Sequence, residues 1–263
     1  MTENQFALEL YKRYGTVTRA RNCFLYTKKC VRITDMFLQN GRAILGWDAG
    51  SAFTHFKNML SKGLTGSFIS EDVSRLKKSV SALLESSRRL FYFSSKVDAI
   101  KAALSYAPSN TAVYLPWTFD SSVWQKTDCV VLEPPFPWTD SLFILAINET
   151  LLSSDKEVSF ANQVNFPFAL EAGITRSIYN LIEQLPLRQE KNWFIYDSVL
   201  TKYWTRKGPY LFSKIPEDKY DSFVLHCLDC GIAVNPGYNV PSIVPFGADK
   251  GVFTKLKNSP FEF

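Results

Sequence analysis

The sequence predicts an α/β protein with a central, mostly parallel β-sheet and a smaller α+β unit. Three apolar runs of strand length, at residues 112–115, 129–132 and 142–147, lack the alternation of a half-exposed strand. Such runs are typical of strands that are covered on both faces. Segments with helical periodicity lie before and after them, and residues 193–263 combine short strand-like runs with one helix.

Length and composition place the chain among globular proteins. Its 263 residues suffice for one large domain, or for a medium domain and a small one. An apolar fraction of 46% and a charged fraction of 21% exclude a disordered chain. No window approaches the ~18 consecutive apolar residues of a membrane span, and the first residues lack the pattern of a signal peptide. We therefore expect a cytoplasmic protein.

The first fifty residues predict a helix followed by a β-hairpin. Residues 5–14 have the pattern of a short helix. Residues 23–27 and 31–36 are predicted as two strands joined by a polar turn, because Val31 and Ile33 alternate with polar neighbours.

Two helices are predicted next. Residues 51–61 place apolar side chains on one helical face. The second helix is predicted to begin near Ser70, a favourable N-cap, because Glu71 and Asp72 suit the positive end of a helix dipole. Apolar residues then recur at helical spacing up to Leu84.

A strand, a serine turn and a helix follow. Residues 90–93 are predicted as a strand that runs directly into Ser94. Ser95 and Asp98 form a variant capping pair, and the helix continues to Tyr106. Backbone N–H groups at the start of such a helix can bind an anion.

The remaining sequence predicts one long helix and the small unit. Pro167 suits a helix start, and Pro186 ends the periodic pattern near Leu185. The small unit is predicted to have strands at residues 193–196, 208–212 and 232–234, and a helix between Pro216 and Gly231.

The charge distribution is uneven. Residues 1–106 carry 17 Lys and Arg against 8 Asp and Glu, although the net charge of the whole chain is only +5. A basic half can favour nucleic acid, but the basic residues occur mostly in pairs and the aromatic residues lie in apolar runs that are typical of a core. We therefore expect a solvated basic surface.

The five cysteines do not form a disulfide framework or a zinc motif. Their number is odd, and a structural zinc site needs four ligands whereas only Cys227 and Cys230 have suitable spacing. These two cysteines share a predicted helix with apolar residues. We expect buried thiols and no metal site.

In its order of elements, the chain resembles the fold-type-I pyridoxal-phosphate enzymes, particularly the class III aminotransferases. Four segments carry the resemblance: a hairpin at residues 21–35, an apolar segment with Leu45-Gly46 at residues 41–47, the strand, serine turn and helix at residues 90–106, and a helix-to-strand step at residues 230–236. The resemblance implies a shortened large domain with a central sheet, and a small α+β domain built from the N-terminal hairpin and the C-terminal segment.

The resemblance also implies domain bounds, a cofactor and a dimer. The bounds are an N-terminal segment at residues 1–50 that packs on the small domain, a reduced large domain at residues 51–192, and the small domain at residues 193–263. Pyridoxal phosphate is the implied cofactor. The residues predicted to bind it are Ser94, Ser95, Lys96, Thr65, Gly66 and Ser67.

Two departures from the family pattern affect the chemistry. Lys96 stands where the family has a phosphate-loop glycine, and only residues 107–192 separate the serine turn from the small domain. That region of the family supplies the aspartate that faces the pyridine nitrogen and the lysine that binds the cofactor covalently. The remaining candidates for these roles are Lys126, Lys156, Lys250, Asp128 and Asp140. None matches the family motif, so we predict that pyridoxal phosphate is not held covalently.

Three functions follow as hypotheses. The first is an aminotransferase-fold protein without transaminase activity that has a binding, regulatory or partner role, as a homodimer or with a related protein, and that takes a small phosphorylated ligand. The second is an active pyridoxal-phosphate transferase with an atypical lysine. The third is a nucleic-acid-binding module. The residues responsible for any catalysis stay unassigned.

Overall fold

The computed structural model describes residues 1–66, 73–139, 142–152 and 158–263. Its α-helices are α1 (Glu3–Tyr14), α2 (Ser51–Ser61), α3 (Val73–Leu83), α4 (Lys96–Tyr106), α5 (Ser121–Lys126), α6 (Phe168–Gln184), α7 (Glu190–Phe194), α8 (Asp197–Leu200), α9 (Glu217–Asp229) and α10 (Thr254–Asn258). Its strands are β1 (Val17–Arg21), β2 (Phe24–Thr27), β3 (Arg32–Asp35), β4 (Arg88–Phe93), β5 (Thr111–Val113), β6 (Cys129–Leu132), β7 (Phe143–Asn148), β8 (Trp204–Lys207), β9 (Tyr210–Ser213), β10 (Ile232–Ala233) and β11 (Ser242–Ile243).

The chain divides into two compact units. The hairpin unit consists of Met1–Asp48 and Arg188–Phe263, and the sheet unit is Ala49–Leu187. Within the ranges given above, no helix is long and apolar enough to cross a membrane. The cytoplasmic location stays a prediction. The predicted helix start at Ser70, Glu71 and Asp72 lies outside the described residues.

The sheet unit contains four strands in the order β4-β7-β6-β5. β5 is parallel to β6, whereas β7 is antiparallel to both of its neighbours, β6 and β4. Three of these four strands run in one direction, but two of the three pairings are antiparallel. The predicted α/β class is therefore confirmed, whereas the sheet itself is mixed rather than mostly parallel. The sequence did not predict that β7 runs in the opposite direction, a pairing that needs no crossover helix from β6.

Both faces of this sheet are buried. On one face, the alanines of α4 pack against Phe91 and Phe93. On the other face, Tyr92 stacks on Phe166, with ring centroids 4.6 Å apart. All of β6 and most of β7 are buried. The two-sided coverage explains why these strands lack an alternating pattern.

A helical layer forms the rest of the sheet unit. α2 and α3 pack against α6. At Gly173 of α6, an added Cβ would lie 3.0 Å from ring carbons of Phe136 and 3.3 Å from Phe56. The absence of a side chain at Gly173 therefore allows Phe136 and Phe56 to approach the α6 backbone closely.

Arg88 anchors the beginning of β4. Its side chain is 0% exposed, and its guanidinium donates to the carbonyl oxygens of Thr127 at 2.6 Å, Trp124 at 2.7 Å and Asp128 at 3.1 Å. Its Nε donates to the Ser86 hydroxyl at 2.8 Å. Burial lowers the pKa of the Arg88 side chain, and the carbonyl oxygens at the end of α5 offset that cost by accepting its protons.

The hairpin unit joins the two ends of the chain. Its first sheet has the order β1-β2-β3-β10, and β10 is parallel to β3, with Ile232 opposite Thr34. This arrangement confirms a small α+β unit built from the N-terminal hairpin and the C-terminal segment. A second sheet has the order β11-β9-β8. α9 begins after Pro216 and ends before Gly231, which has a φ of 80°, as predicted.

One predicted strand is wrong. Residues 193–196 lie in and after the short helix α7 rather than in a strand. Gln189 and Asn192 form a reciprocal capping box that starts this helix, and Trp193 and Tyr196, three residues apart, are both buried. Short apolar runs do not distinguish a buried strand from one turn of buried helix. The sequence analysis also missed β1, α5 and β8.

The Arg88 anchor predicts a large loss of stability when it is removed. In Arg88→Met, several buried carbonyl oxygens lose their donor, so we expect the free energy of unfolding to fall by about 3 kcal/mol. Urea unfolding followed by circular dichroism measures this change. The matched control is Arg89→Met at the adjacent exposed position, which should change stability by less than about 0.5 kcal/mol. Equal stability of the two variants would contradict the assigned role.

Candidate functional site

The serine turn joins β4 directly to α4. Ser95 has an extended backbone, and its hydroxyl accepts a hydrogen bond from the Asp98 N–H at 3.3 Å, so the predicted capping pair is confirmed. Ser94 is exposed, and Lys96, also exposed, is the first residue of α4. The three residues therefore lie together at a helix N-terminus, as the sequence predicted.

The local chemistry of this turn weakens a phosphate site. The Ser95 hydroxyl already satisfies one of the free N–H groups of the first turn. Asp98 adds a carboxylate to the same turn, and this charge interacts favourably with the helix dipole and repels an anion. Lys96 supplies one compensating positive charge.

The second predicted loop lies in a different part of the sheet unit. Thr65 and Gly66 are exposed and follow α2, which packs against α6, whereas α4 packs against the sheet. The loop at Thr65 and Gly66 therefore belongs to the helical layer, whereas the serine turn lies beside the sheet. Ser67 lies outside the described residues.

The candidates for a covalent anchor are all unsuitable where the structure describes them. Lys126 ends α5 at an exposed position, and Lys250 is exposed in the 3-10 helix Lys250–Phe253. Lys156 and Asp140 lie outside the described residues. Asp128 is half-buried, and its carbonyl oxygen accepts from Arg88.

Every lysine in the described part of the chain is exposed. A lysine that forms a Schiff base needs an amine held against its cofactor in a pocket that excludes water. The residues that the structure describes do not fit a covalently bound pyridoxal phosphate.

Asp35, at the end of the predicted hairpin, is the best-buried carboxylate. It is 1% exposed and accepts hydrogen bonds from the N–H groups of Phe37 at 2.9 Å and Leu38 at 3.0 Å and from Trp47 Nε1 at 2.7 Å. Burial raises the pKa of Asp35 to about 6. Three consecutive residues that begin at Leu38 have φ between 44° and 59°, a strained region for side chains other than glycine. Asp35 therefore holds the following loop in place.

A cavity that the sequence analysis missed lies between α2, α3 and α6. We call it the helical cavity; its volume is about 250 Å³. Its lining residues are His55, Met59, Arg75, Lys78, Phe168, Glu171, Ala172, Thr175, Arg176 and Tyr179. The members from α6 recur at spacings of three and four residues, a signal that could have indicated one helical face.

The electrostatics of the helical cavity centre on Glu171. Burial raises the pKa of its carboxyl to about 7, and the Tyr92 hydroxyl donates a hydrogen bond to it. Arg176 contacts the Ser51 hydroxyl through Nε at 2.7 Å and pairs with exposed Glu183 at 3.3 Å. Lys78 is exposed and makes no ion pair with a described residue.

Cys227 and Cys230 are buried, as the sequence predicted, whereas Cys30 is exposed. Cys227 is fully buried in α9, and burial raises the pKa of its thiol well above the usual value. Cys230 is also buried, and its sulfur lies 3.9 Å from His226 Nε2. Across the described ranges, no three His, Cys, Asp or Glu side chains are grouped as metal ligands.

Comparison with known sequences finds relatives of unassigned function. No family model matches the chain. A protein of Treponema pallidum (strain Nichols), described only as uncharacterized, is 25% identical over 285 residues, which cover 91% of this chain and 92% of that protein. A second uncharacterized protein, from Borreliella burgdorferi, is 21% identical over 264 residues. This alignment covers 97% of this chain and 94% of that protein.

Comparison with solved structures identifies the fold. The ornithine aminotransferase of Toxoplasma gondii ME49 matches with a TM-score of 0.65 and 10% identity, over 98% of this chain and 95% of that chain. The acetylornithine aminotransferase of Elizabethkingia anophelis matches with a TM-score of 0.61 and 11% identity, over 98% of both chains. The chain has the fold of the class III aminotransferases, and the resemblance drawn from the sequence is confirmed at the level of fold.

The raised pKa of Asp35 predicts a pH-dependent contribution to stability. An unfolded aspartate has a pKa near 3.9, so the folded state binds a proton more readily at Asp35. Stability from this group is complete below about pH 4 and is lost as the pH rises through 6, by about 3 kcal/mol in total. Between pH 4 and pH 7, we expect the stability difference between the native chain and Asp35→Asn to shift by about 2 kcal/mol against the native chain, because part of the change already occurs below pH 4. Urea unfolding at pH 4 and pH 7 measures it, and a constant difference would contradict the assignment.

Proposed function

We propose that this chain is a binding protein with an aminotransferase fold that does not carry out transamination. The observation that carries the proposal is the exposure of every described lysine, because covalent catalysis with pyridoxal phosphate needs a sequestered amine. The serine turn supports it further, since the Ser95 hydroxyl already accepts a hydrogen bond from the Asp98 N–H at the start of α4. A small phosphorylated molecule, including pyridoxal phosphate without a covalent bond, is the proposed ligand class. At this turn the exposed Lys96 favours such a ligand and Asp98 opposes it, so we expect weak binding there.

Cofactor trapping tests the proposal. The full chain is mixed with an equimolar amount of pyridoxal phosphate and reduced with borohydride, which makes a bond between the cofactor and a lysine permanent. We expect only weak labelling spread over several exposed lysines in the peptide map. A class III aminotransferase treated in parallel should carry one stoichiometric label. Stoichiometric labelling of one lysine, lost when that lysine is replaced by glutamine, would instead establish the active transferase with an atypical lysine.

The nucleic-acid alternative has less support. Arg88, one of the paired basic residues, is buried and donates to carbonyl oxygens. Arg13 contacts Glu9 and Asp229. Such pairing lowers the positive charge available to phosphates. A cytoplasmic location remains part of the proposal.

We further propose that the chain forms a homodimer through the exposed face of α4. Val97 is 58% exposed and Leu104 is 45% exposed, and their spacing of seven residues places them on one side of the helix. Exposed apolar residues grouped on one face favour association.

Light scattering after size exclusion tests the dimer. We expect the native chain to have twice the monomer mass, and the double variant Val97→Glu, Leu104→Glu to have the monomer mass, because two charges would be buried in the interface. The control is Leu8→Glu on α1, where the native side chain is 59% exposed; this variant should stay dimeric. A monomeric native chain would contradict the proposal.

A further inference from the structure

The helical cavity combines an apolar lining with a surplus of positive charge. Most of its surface is apolar, and Met59, Phe168 and Tyr179 are half-buried in its lining. Arg75 and Lys78, both exposed, come from α3, and Arg176 comes from α6. A cavity with apolar walls and a few polar groups is the usual form of a small-molecule site.

Glu171, the one acidic group among the described lining residues, does not cancel this charge. Glu171 accepts a hydrogen bond from Tyr92 on the sheet side, and burial in these surroundings disfavours its charged form. Arg176 is oriented by the Ser51 hydroxyl, and its carboxylate partner, Glu183, is 60% exposed, so the pair is screened by solvent. Lys78 makes no ion pair with a described residue. An anion can therefore approach Lys78 and Arg176 beside an apolar surface, whereas Arg75 already takes part in another interaction.

We infer that the helical cavity binds one small amphipathic anion, a molecule with a carboxylate or phosphate head and a short apolar body. A volume of about 250 Å³ is slightly below the roughly 300–1,000 Å³ of typical ligand pockets, which limits the ligand to a small molecule. The basic residues recognise the head, and Met59, Phe168 and Ala172 contact the body. This site is separate from the serine turn, so it does not depend on whether pyridoxal phosphate binds.

Isothermal titration of the full chain with four matched six-carbon probes tests the inference. The probes are hexanoate, hexyl phosphate, 1-hexanol and hexylammonium. We expect at least one of the two anions to bind at least tenfold more tightly than 1-hexanol, and hexylammonium not to bind. Tighter binding of hexanoate or of hexyl phosphate assigns the head group. Inorganic phosphate, which lacks an apolar body, should not compete.

Variants locate the binding. Lys78→Met should weaken the tighter anion about fivefold and leave 1-hexanol unchanged. Ala172→Phe should abolish binding because its ring fills the cavity. The control is Lys219→Met, which replaces an exposed lysine of α9 and should bind as the native chain does. Thermal unfolding of each variant verifies that it is folded.

Three results would overturn the inference. They are equal affinity for 1-hexanol and the anions, equal affinity of Lys78→Met and Lys219→Met for the tighter anion, and full binding by a folded Ala172→Phe. If Ala172→Phe is unfolded, Ala172→Leu provides the same test with a smaller side chain. Borohydride labelling detects a covalent bond to pyridoxal phosphate and tests the proposed function. Titration detects equilibrium binding in the helical cavity and tests this inference. Either proposal can therefore fail while the other stands.

Discussion

The buried guanidinium of Arg88 fixes the point where the central sheet begins. It connects the first residue of β4 to the end of α5 and to the residues that enter β6. Because a cation without acceptors is costly in a protein interior, β4 cannot shift along its neighbours without losing these hydrogen bonds. The register of β4 against β7 follows, and so does the position of Ser95, which comes two residues after the strand. One buried cation thus determines both the sheet and the place where α4 starts.

Much of the fold could be predicted from local patterns. The Ser95–Asp98 capping pair, the Pro216 and Gly231 limits of α9 and the unbroken apolar runs of β6 and β7 depend on nearby residues, and local sequence is informative about such features. The reversed direction of β7 could not be predicted, because strand direction depends on pairing partners distant in sequence. Residues 193–196 were assigned wrongly because tertiary burial of Trp193 and Tyr196 outweighs their preference for strands.

The candidate site could be predicted only in part. The serine turn is contiguous, so its residues were found together. The helical cavity depends on how α2 and α3 cross α6, and no periodicity within one helix specifies the residues that a neighbouring helix supplies.

The fold of an aminotransferase persists here while every described lysine faces solvent. Packing preserves a backbone through apolar residues, whereas catalysis depends on a few polar groups, so the fold by itself does not establish the chemistry.

The parallel pairing of β3 with β10 has a consequence for synthesis on the ribosome. The hairpin emerges before the sheet unit, yet its outer partner, which includes Ile232, emerges only after that unit. Closing so long a loop is slow, so β3 leaves the ribosome with one edge unpaired while the whole sheet unit is translated and becomes free to fold. An unpaired edge can pair with other chains. The sheet unit can therefore fold before the first sheet of the hairpin unit is complete. We expect a chaperone that shields the hairpin during translation to increase the yield of native protein.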